Sequence, residues 1–409
     1  MKKRVLPYLS GRLFDGISSG MFMMALPWVM LNQPNMGTFV AILALVCTGA
    51  SFFSTLFVAT LIDRYSRKAV LVAMQMVQAT TALCVFIAYW YGLESVWMLA
   101  LAQLVFWLSG DMAWSTNNAF VHENFEPSEY SKISSYDEIV MQTSVLGAGS
   151  LGIVVLEVWS MVEFAFLATL ASSFAAVSYL ITPYRRQITE EIKDSFLSQL
   201  FESKNIFSRD PALYAFIALS CLSYPVLTFL VKLVPIYFSE QGIDGGWFAT
   251  WKMSYGVGAL ICGLVVAKLL IRFDADKSML FSIFVLSLLL LAIGIFLSPM
   301  MMVILTVVIG FFNAFNRISR INKLHRVVAV SERGRVDGGF KLFSTLSQSL
   351  SYLLIAWLTA NQMTSYGFTI IAGVMMSAAI LMWWLMQRRG KKEKRDKKEK
   401  RDKGAMVLS

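Results

Sequence analysis

Histidine is almost absent from this 409-residue chain: only His122 and His325 occur. That excludes His-x-x-x-His zinc sites and multi-histidine metal centres, which need paired imidazoles at fixed spacing. There is no Gly-x-x-x-x-Gly-Lys loop, so nothing cradles a nucleotide phosphate. Ala148-Gly149-Ser150-Leu151-Gly152 approaches a Gly-x-Ser-x-Gly elbow but lacks its first glycine, and no histidine lies in an apolar segment to serve as base. The four cysteines, Cys47, Cys84, Cys221 and Cys262, all fall in apolar runs, with no Cys-x-x-Cys pair. They read as small buried hydrophobes rather than as a disulfide framework. Charge is scarce as well, at 15% of residues against about 25% in soluble domains. These absences leave no expected enzyme activity and no expected cofactor or metal.

What is present is apolar. Ala, Val, Ile, Leu, Met, Phe, Trp, Tyr and Cys make up 57% of the chain, and the mean hydropathy is +0.61. That is roughly 233 residues, enough for about twelve helical crossings at about 20 apolar residues each. A water-soluble globular enzyme and a nucleic-acid-binding domain are both excluded. The net charge of +10 does not reverse this. From Arg388 to Lys403 there are 11 basic and 4 acidic residues, so most of the excess sits in one C-terminal tail with KKEKRD repeated at 391–396 and 397–402. A solvated tail accounts for it; the alternative is attraction to anionic lipid headgroups.

Apolar runs fall near 7–31, 38–62, 69–91, 95–118, 133–156, 162–183, 212–238, 247–271, 278–297, 299–317, 339–359 and 366–386. Backbone amides in lipid must bond internally, so runs of this length predict helices. Arg12 and Asp15 interrupt the first run, and no small-x-small site follows it, which predicts an uncleaved first helix rather than a signal peptide. The odd-numbered breaks contain no Lys or Arg, whereas the even-numbered breaks and both termini hold most of them. Positive residues stay inside, so both termini are expected in the cytoplasm. The break at 184–211 divides the chain into 1–183 and 212–386, six spans each, followed by the tail at 387–409. Within that break ITEEIKDSFLSQLF has helical spacing and is expected to lie along the membrane surface.

The halves echo one another. LIDRYSRKAVL at 61–71 aligns without gaps on LIRFDADKSML at 270–280. Pro27 falls opposite Pro235, EYSKI at 129–133 opposite ERGRV at 332–336, and Gly110 opposite Gly310. Two six-helix repeats related about an axis along the membrane normal predict a transporter with its cavity between them.

On these residues the chain resembles the major facilitator superfamily. The family loop after span two reads Gly-x-x-x-Asp-Arg-x-Gly-Arg-Lys. Here Ala59 and Ser66 replace the glycines, while Asp63, Arg64, Arg67 and Lys68 keep the charges. ERGRV before span eleven and the Ala-Leu-Pro of span one are similar to the drug and siderophore exporter branch. The fourth-span arginine expected near Trp107 is missing, and Gly147, Gly149 and Gly152 stand in span five without the usual proline. The resemblance implies an all-α membrane protein of twelve transmembrane helices in two pseudo-symmetric six-helix bundles. It also implies a secondary active transporter in a bacterial inner membrane, with proton-coupled export of a small organic molecule, siderophore-like or drug-like, by alternating access. A monomer is expected, with protons, substrate and lipid as its partners and no nucleic acid. The alternatives are an uptake permease of the same fold and a non-transporting membrane scaffold.

A charge at the bilayer centre costs at least about 2.5–3.5 kcal/mol on insertion scales, so the intramembrane charges are the candidate site. Arg12 and Asp15 are three apart on one helical face and can pair. Asp111 has no neighbouring cation in sequence and is the expected protonatable acid. Asp111, Ser115 and Asn118 form one polar stripe between Trp107 and Trp114, and Asn313, Asn316, Arg317 and Arg320 form its counterpart in span ten. These stripes are expected to face water, with the two arginines as positive-inside residues. By the resemblance, Asp63, Arg64, Arg67 and Lys68 are a gate, with Glu129, Asp137 and Glu138 as its candidate partners. Lys232 and Lys252 are expected to snorkel toward the outer surface; the alternative is that Lys232 meets substrate carboxylates. The methionines Met21, Met23, Met24 and Met300–Met302 are expected to fill packing gaps.

Overall fold

A computed structural model describes residues 2–126, 129–184, 206–328 and 332–407. The surface segment expected at 188–201 lies outside them, as do the side chains of Asp63, Arg64, Asn118 and Glu138. Thirteen helices are described: α1 (Lys2–Leu31), α2 (Gly37–Arg64), α3 (Arg67–Trp90), α4 (Val96–Asn124), α5 (Tyr130–Val158), α6 (Met161–Ile181), α7 (Pro211–Cys221), α8 (Ser223–Glu240), α9 (Gly245–Arg272), α10 (Ala275–Phe296), α11 (Pro299–Val327), α12 (Arg333–Ala360) and α13 (Tyr366–Val407). No strand occurs among the described residues.

Thirteen helices make twelve crossings because α7 and α8 are one span, Pro211–Glu240, broken at Leu222. The sequence explains the break. Pro225 has no N–H to return to the carbonyl of Cys221, so the ladder is interrupted there. Eleven spans are long and apolar enough to cross a membrane by themselves, and the twelfth, α5, carries only the shorter apolar stretch Gly147–Leu156.

Polar residues in the breaks close the helix ends. Ser66 accepts a hydrogen bond from the N–H of Ala69 and caps α3. That gives the serine in place of the family's glycine a function of its own. Ser160 and Glu163 form a reciprocal capping box on α6. Asp210 and Asp274 cap α7 and α10 in the same manner.

The chain divides into two compact units. Unit one comprises Met1–Ile192, Val231–Met253 and Tyr352–Thr364. In it α1 packs along α5 and α6, α3 along α6 and α4, and α2 along α4. The α1–α5 seam is tight because Gly149 lies against the backbone: a Cβ there would come within 3.0 Å of the Gly20 carbonyl oxygen. Phe22 stacks between Phe106 and Phe164 at its centre, at ring separations of 4.4 and 6.1 Å.

Unit two comprises Lys193–Leu230, Ser254–Ser351 and Ser365–Ser409. Here α10 packs on α11 and α13, and α7 on α13. The α9–α11 crossing is closer still, with Gly258 on the Val307 carbonyl and Gly310 on the Tyr255 carbonyl. Van der Waals packing through small residues, rather than apolar burial, holds helices together in lipid.

Candidate functional site

Four sets of polar residues stand out, and their surroundings differ. The first is centred on Arg12 of α1, which is buried. The α1–α5 glycine seam brings α5 close enough for its guanidinium to meet Asp137: Nε donates to Oδ1 at 2.5 Å and Nη2 to Oδ2 at 3.3 Å. Nη1 reaches Asp15 Oδ2 at 3.3 Å. Tyr8 donates to Asp137 Oδ1 at 3.2 Å and Ser19 to Asp15 Oδ1 at 3.2 Å. The indole of Trp114 lies 5.8 Å from the guanidinium carbon. Two carboxylates thus share one cation, a forked geometry that Arg supplies and Lys does not. The cluster carries one net negative charge when both acids are ionised.

The Arg12–Asp15 pair foreseen on the helical face is therefore present. Asp137, expected beside the loop after span two, is instead the second partner of Arg12. Sequence reasoning missed this role because 125 residues separate the two.

The second set surrounds Lys232 of α8. Its side chain is 7% exposed, and its ammonium sits 5.4 Å above the ring of Trp107 on α4. Cys47 of α2 is close enough to feel its charge. Lys252 stands on the next helix, α9, of the same unit. Neither lysine forms an ion pair among the described residues. The expected snorkelling of Lys232 is not what the structure shows: the residue lies eight positions, about 12 Å, from the end of α8 and points into protein. An indole face returns at most about 2 kcal/mol to a desolvated cation, below the several kcal/mol that burying an ammonium costs. On the helix that carries Lys252, Trp251 stacks on Phe248 at 5.9 Å, and Phe248 on Trp28 at 5.7 Å.

Asp111 stands one turn below Trp107 and accepts a hydrogen bond from Ser51 of α2. Asp111, Trp114 and Ser115 are all exposed in the chain by itself.

The third set is the loop after span two. Arg67 Nη1 lies 3.5 Å from Glu123 Oε2 at the end of α4, and Tyr184 donates to the same carboxylate oxygen at 2.6 Å. Burial, then the Glu123 carboxylate, pushes the Tyr184 hydroxyl up to about 12. Lys68 donates to the carbonyls of Leu180 and Thr182, at 2.6 and 2.9 Å, where α6 ends. A cation there also opposes the helix dipole. Glu129, a candidate partner for this loop, instead accepts from the backbone N–H of Glu126 at 3.3 Å.

The fourth set is the α11 stripe. Asn316 is buried and donates from Nδ2 to the Ser220 carbonyl and to Ser223 Oγ, both at 2.9 Å. Arg320 donates to the same carbonyl at 2.9 Å. Those groups flank the break between α7 and α8, so the stripe satisfies backbone that the break leaves open. The water-facing role expected for Asn316 gives way to this one. Asn313 donates to the Tyr255 hydroxyl at 2.7 Å and borders a cavity of ≈ 10 Å³.

At the end of unit one away from the N-terminus, hydrogen bonds tie α1, α2, α8 and α12. Ser239 donates to the Leu31 carbonyl at 2.7 Å, and Thr38 and Thr359 share a bond of 2.9 Å. Thr364 donates to Glu240 at 2.9 Å. Outside this latch lies a depression of ≈ 1270 Å³ bordered by Trp28, Asn32, Trp159 and Glu240.

Family and structural comparisons agree with this architecture. The model of the Major Facilitator Superfamily matches residues 8–299 and 244–408. The chain belongs to this superfamily. A solved bacterial homologue of the iron transporter ferroportin, in an inward-facing state, superposes with a TM-score of 0.74 at 15% identity, covering 94% of this chain and 99% of that one. A bacterial metal transporter gives 0.71 at 14% identity, covering 94% and 98%. The nucleoside transporter NupG gives 0.67 at 15%, covering 94% and 99%. A search of curated proteins returned no match. The superfamily membership marks the chain as a multi-pass membrane transporter; the solved neighbours, at such identities, establish the fold alone.

Proposed function

We propose that this transporter couples the movement of protons to that of a small organic molecule, and that Arg12, Asp15 and Asp137 form the coupling site. The observation that carries this reading is the buried set of two acids on one guanidinium. One carboxylate suffices to neutralise Arg12. The other leaves a net charge inside the bundle, which one proton removes. Protonation also frees Arg12 from one helix, so the α1–α5 seam has two electrostatic states. Asp111, hydrogen-bonded to Ser51, is a second acid available to the cycle. The loop residues Asp63, Arg64, Arg67 and Lys68 act as the gate.

Export through a bacterial inner membrane, with cytoplasmic termini and a monomeric unit, rests on the Lys/Arg distribution and on the exporter-like ERGRV and Ala-Leu-Pro. Siderophore-like and drug-like molecules are the substrate classes of that branch. A metal ion as cargo is less well supported, although two structural neighbours are metal transporters. Among the described residues no three His, Cys, Asp or Glu side chains gather as ligands, and the two carboxylates on Arg12 already have a cation.

The test is transport across vesicles containing the purified chain, with a pH step imposed across the membrane. Asp137→Asn should abolish acceleration by the pH step while leaving counterflow of substrate. Full acceleration in that variant would remove the coupling site; absence of flux in the unaltered protein would favour the scaffold alternative. The sign of net flux decides between export and uptake.

A further inference from the structure

We infer that the cargo is an organic anion, an apolar body bearing a carboxylate, phosphate or sulfate that docks on Lys232 and Lys252. This rests on the transport reading above and adds the substrate's charge. Three observations carry it. Lys232 is buried in the middle of a helix bundle, yet no carboxylate among the described residues reaches it. Lys252, on the next helix of the same unit, is a second cation that forms no ion pair among the described residues. Aromatic surface is at hand: the Trp107 ring lies 5.4 Å from the Lys232 ammonium, and Trp28, Phe248 and Trp251 stack on one another in the same unit.

The contrast with Arg12 excludes the simplest alternative, that this protein tolerates buried cations generally. Where a cation is structural, as at Arg12, two acids answer it. Asp111, the nearest acid along α4 from Trp107, accepts a hydrogen bond from Ser51. A site with two ammonium groups and indole faces has the donors for an anionic head and the apolar walls for its body. Loading would offset the charge on Lys232, and release would restore it.

The experiment uses the cell's own metabolites as the probe. Cells producing the full chain, Lys232→Gln, Lys252→Gln, Lys232→Arg or no transporter are compared by mass spectrometry of the medium and of the cell interior, and each compound whose distribution shifts is sorted by its charge at neutral pH. The shifted compounds should be acids. Lys232→Gln should shrink the shift about tenfold, the loss expected for one charge-assisted hydrogen bond in a dry site. Lys232→Arg should retain most of it. Each variant's elution and thermal midpoint in detergent confirm that it is folded. Shifted compounds that are neutral or cationic would overturn the inference while leaving transport intact. So would acids that move equally well in both glutamine variants. A full chain that shifts no compound would overturn the transport reading itself, and this inference with it.

Discussion

Arg12 and Lys232 make a natural pair for comparison. Both belong to unit one, both are buried, and each lies near an indole, at 5.8 Å from Trp114 and 5.4 Å from Trp107. The difference is in the counter-charges. Arg12 is held by Asp15 and Asp137, whereas no acid among the described residues pairs with Lys232. A buried ion that is paired contributes to the fold, and breaking the pair leaves an uncompensated charge. A buried ion that is not paired lowers stability and needs another reason to be there. The first cluster therefore reads as internal machinery, and the second as a place kept open for something that arrives.

The comparison is most severely tested by removing each cation. Arg12→Met should destabilise the protein by about 3–5 kcal/mol, because it leaves Asp15 and Asp137 buried and unpaired. Thermal unfolding in detergent measures this. Adding Asp137→Asn to that variant should recover part of the loss. Asp137→Asn alone should cost less, about 1.5–3 kcal/mol, since Arg12 keeps Asp15. Lys232→Met should behave in the opposite sense and leave stability unchanged or raised by about 1 kcal/mol, while cutting transport about tenfold. A loss as large as that of Arg12→Met would erase the distinction between the clusters.

The smallest effect concerns the helix-end pairs, which sharpen the comparison from the surface. Arg67 meets Glu123 in unit one, and in unit two Lys323 and Arg389 meet Asp276, at 2.9 and 3.3 Å. The repeat aligns Arg67 with Asp276, so the same position carries the opposite charge in the other half. Both pairs are partly exposed, and double-mutant cycles should give only about 0.2–1 kcal/mol for each. A coupling as strong as that at Arg12 would make these contacts structural clamps rather than parts that open.

Much of the fold was legible in the sequence. Run lengths predicted twelve crossings, and the structure forms them, although the seventh is two helices broken before Pro225. The gapless match of 61–71 on 270–280 pointed to the repeat and to the superfamily. The site was legible only in part. Arg12 with Asp15 could be foreseen because three residues on a helix share a face. Asp137 could not, because its partner comes from another helix. Asn316 appeared as part of a water-facing stripe, since a polar row on a membrane helix looks alike whether it lines water or satisfies broken backbone. A proline near the middle of span seven was the one signal that could have told these apart.

Hydropathy and charge placement are properties of local chain, and by themselves they determined that this protein crosses a membrane in repeated helices and belongs to its superfamily. Which buried charges are neutralised depends on which helix faces meet. Glycine contacts, helix breaks and chain-distant neighbours decide that, and only the folded arrangement brings Asp137 to Arg12 while leaving Lys232 over an indole with no acid paired to it among the described residues.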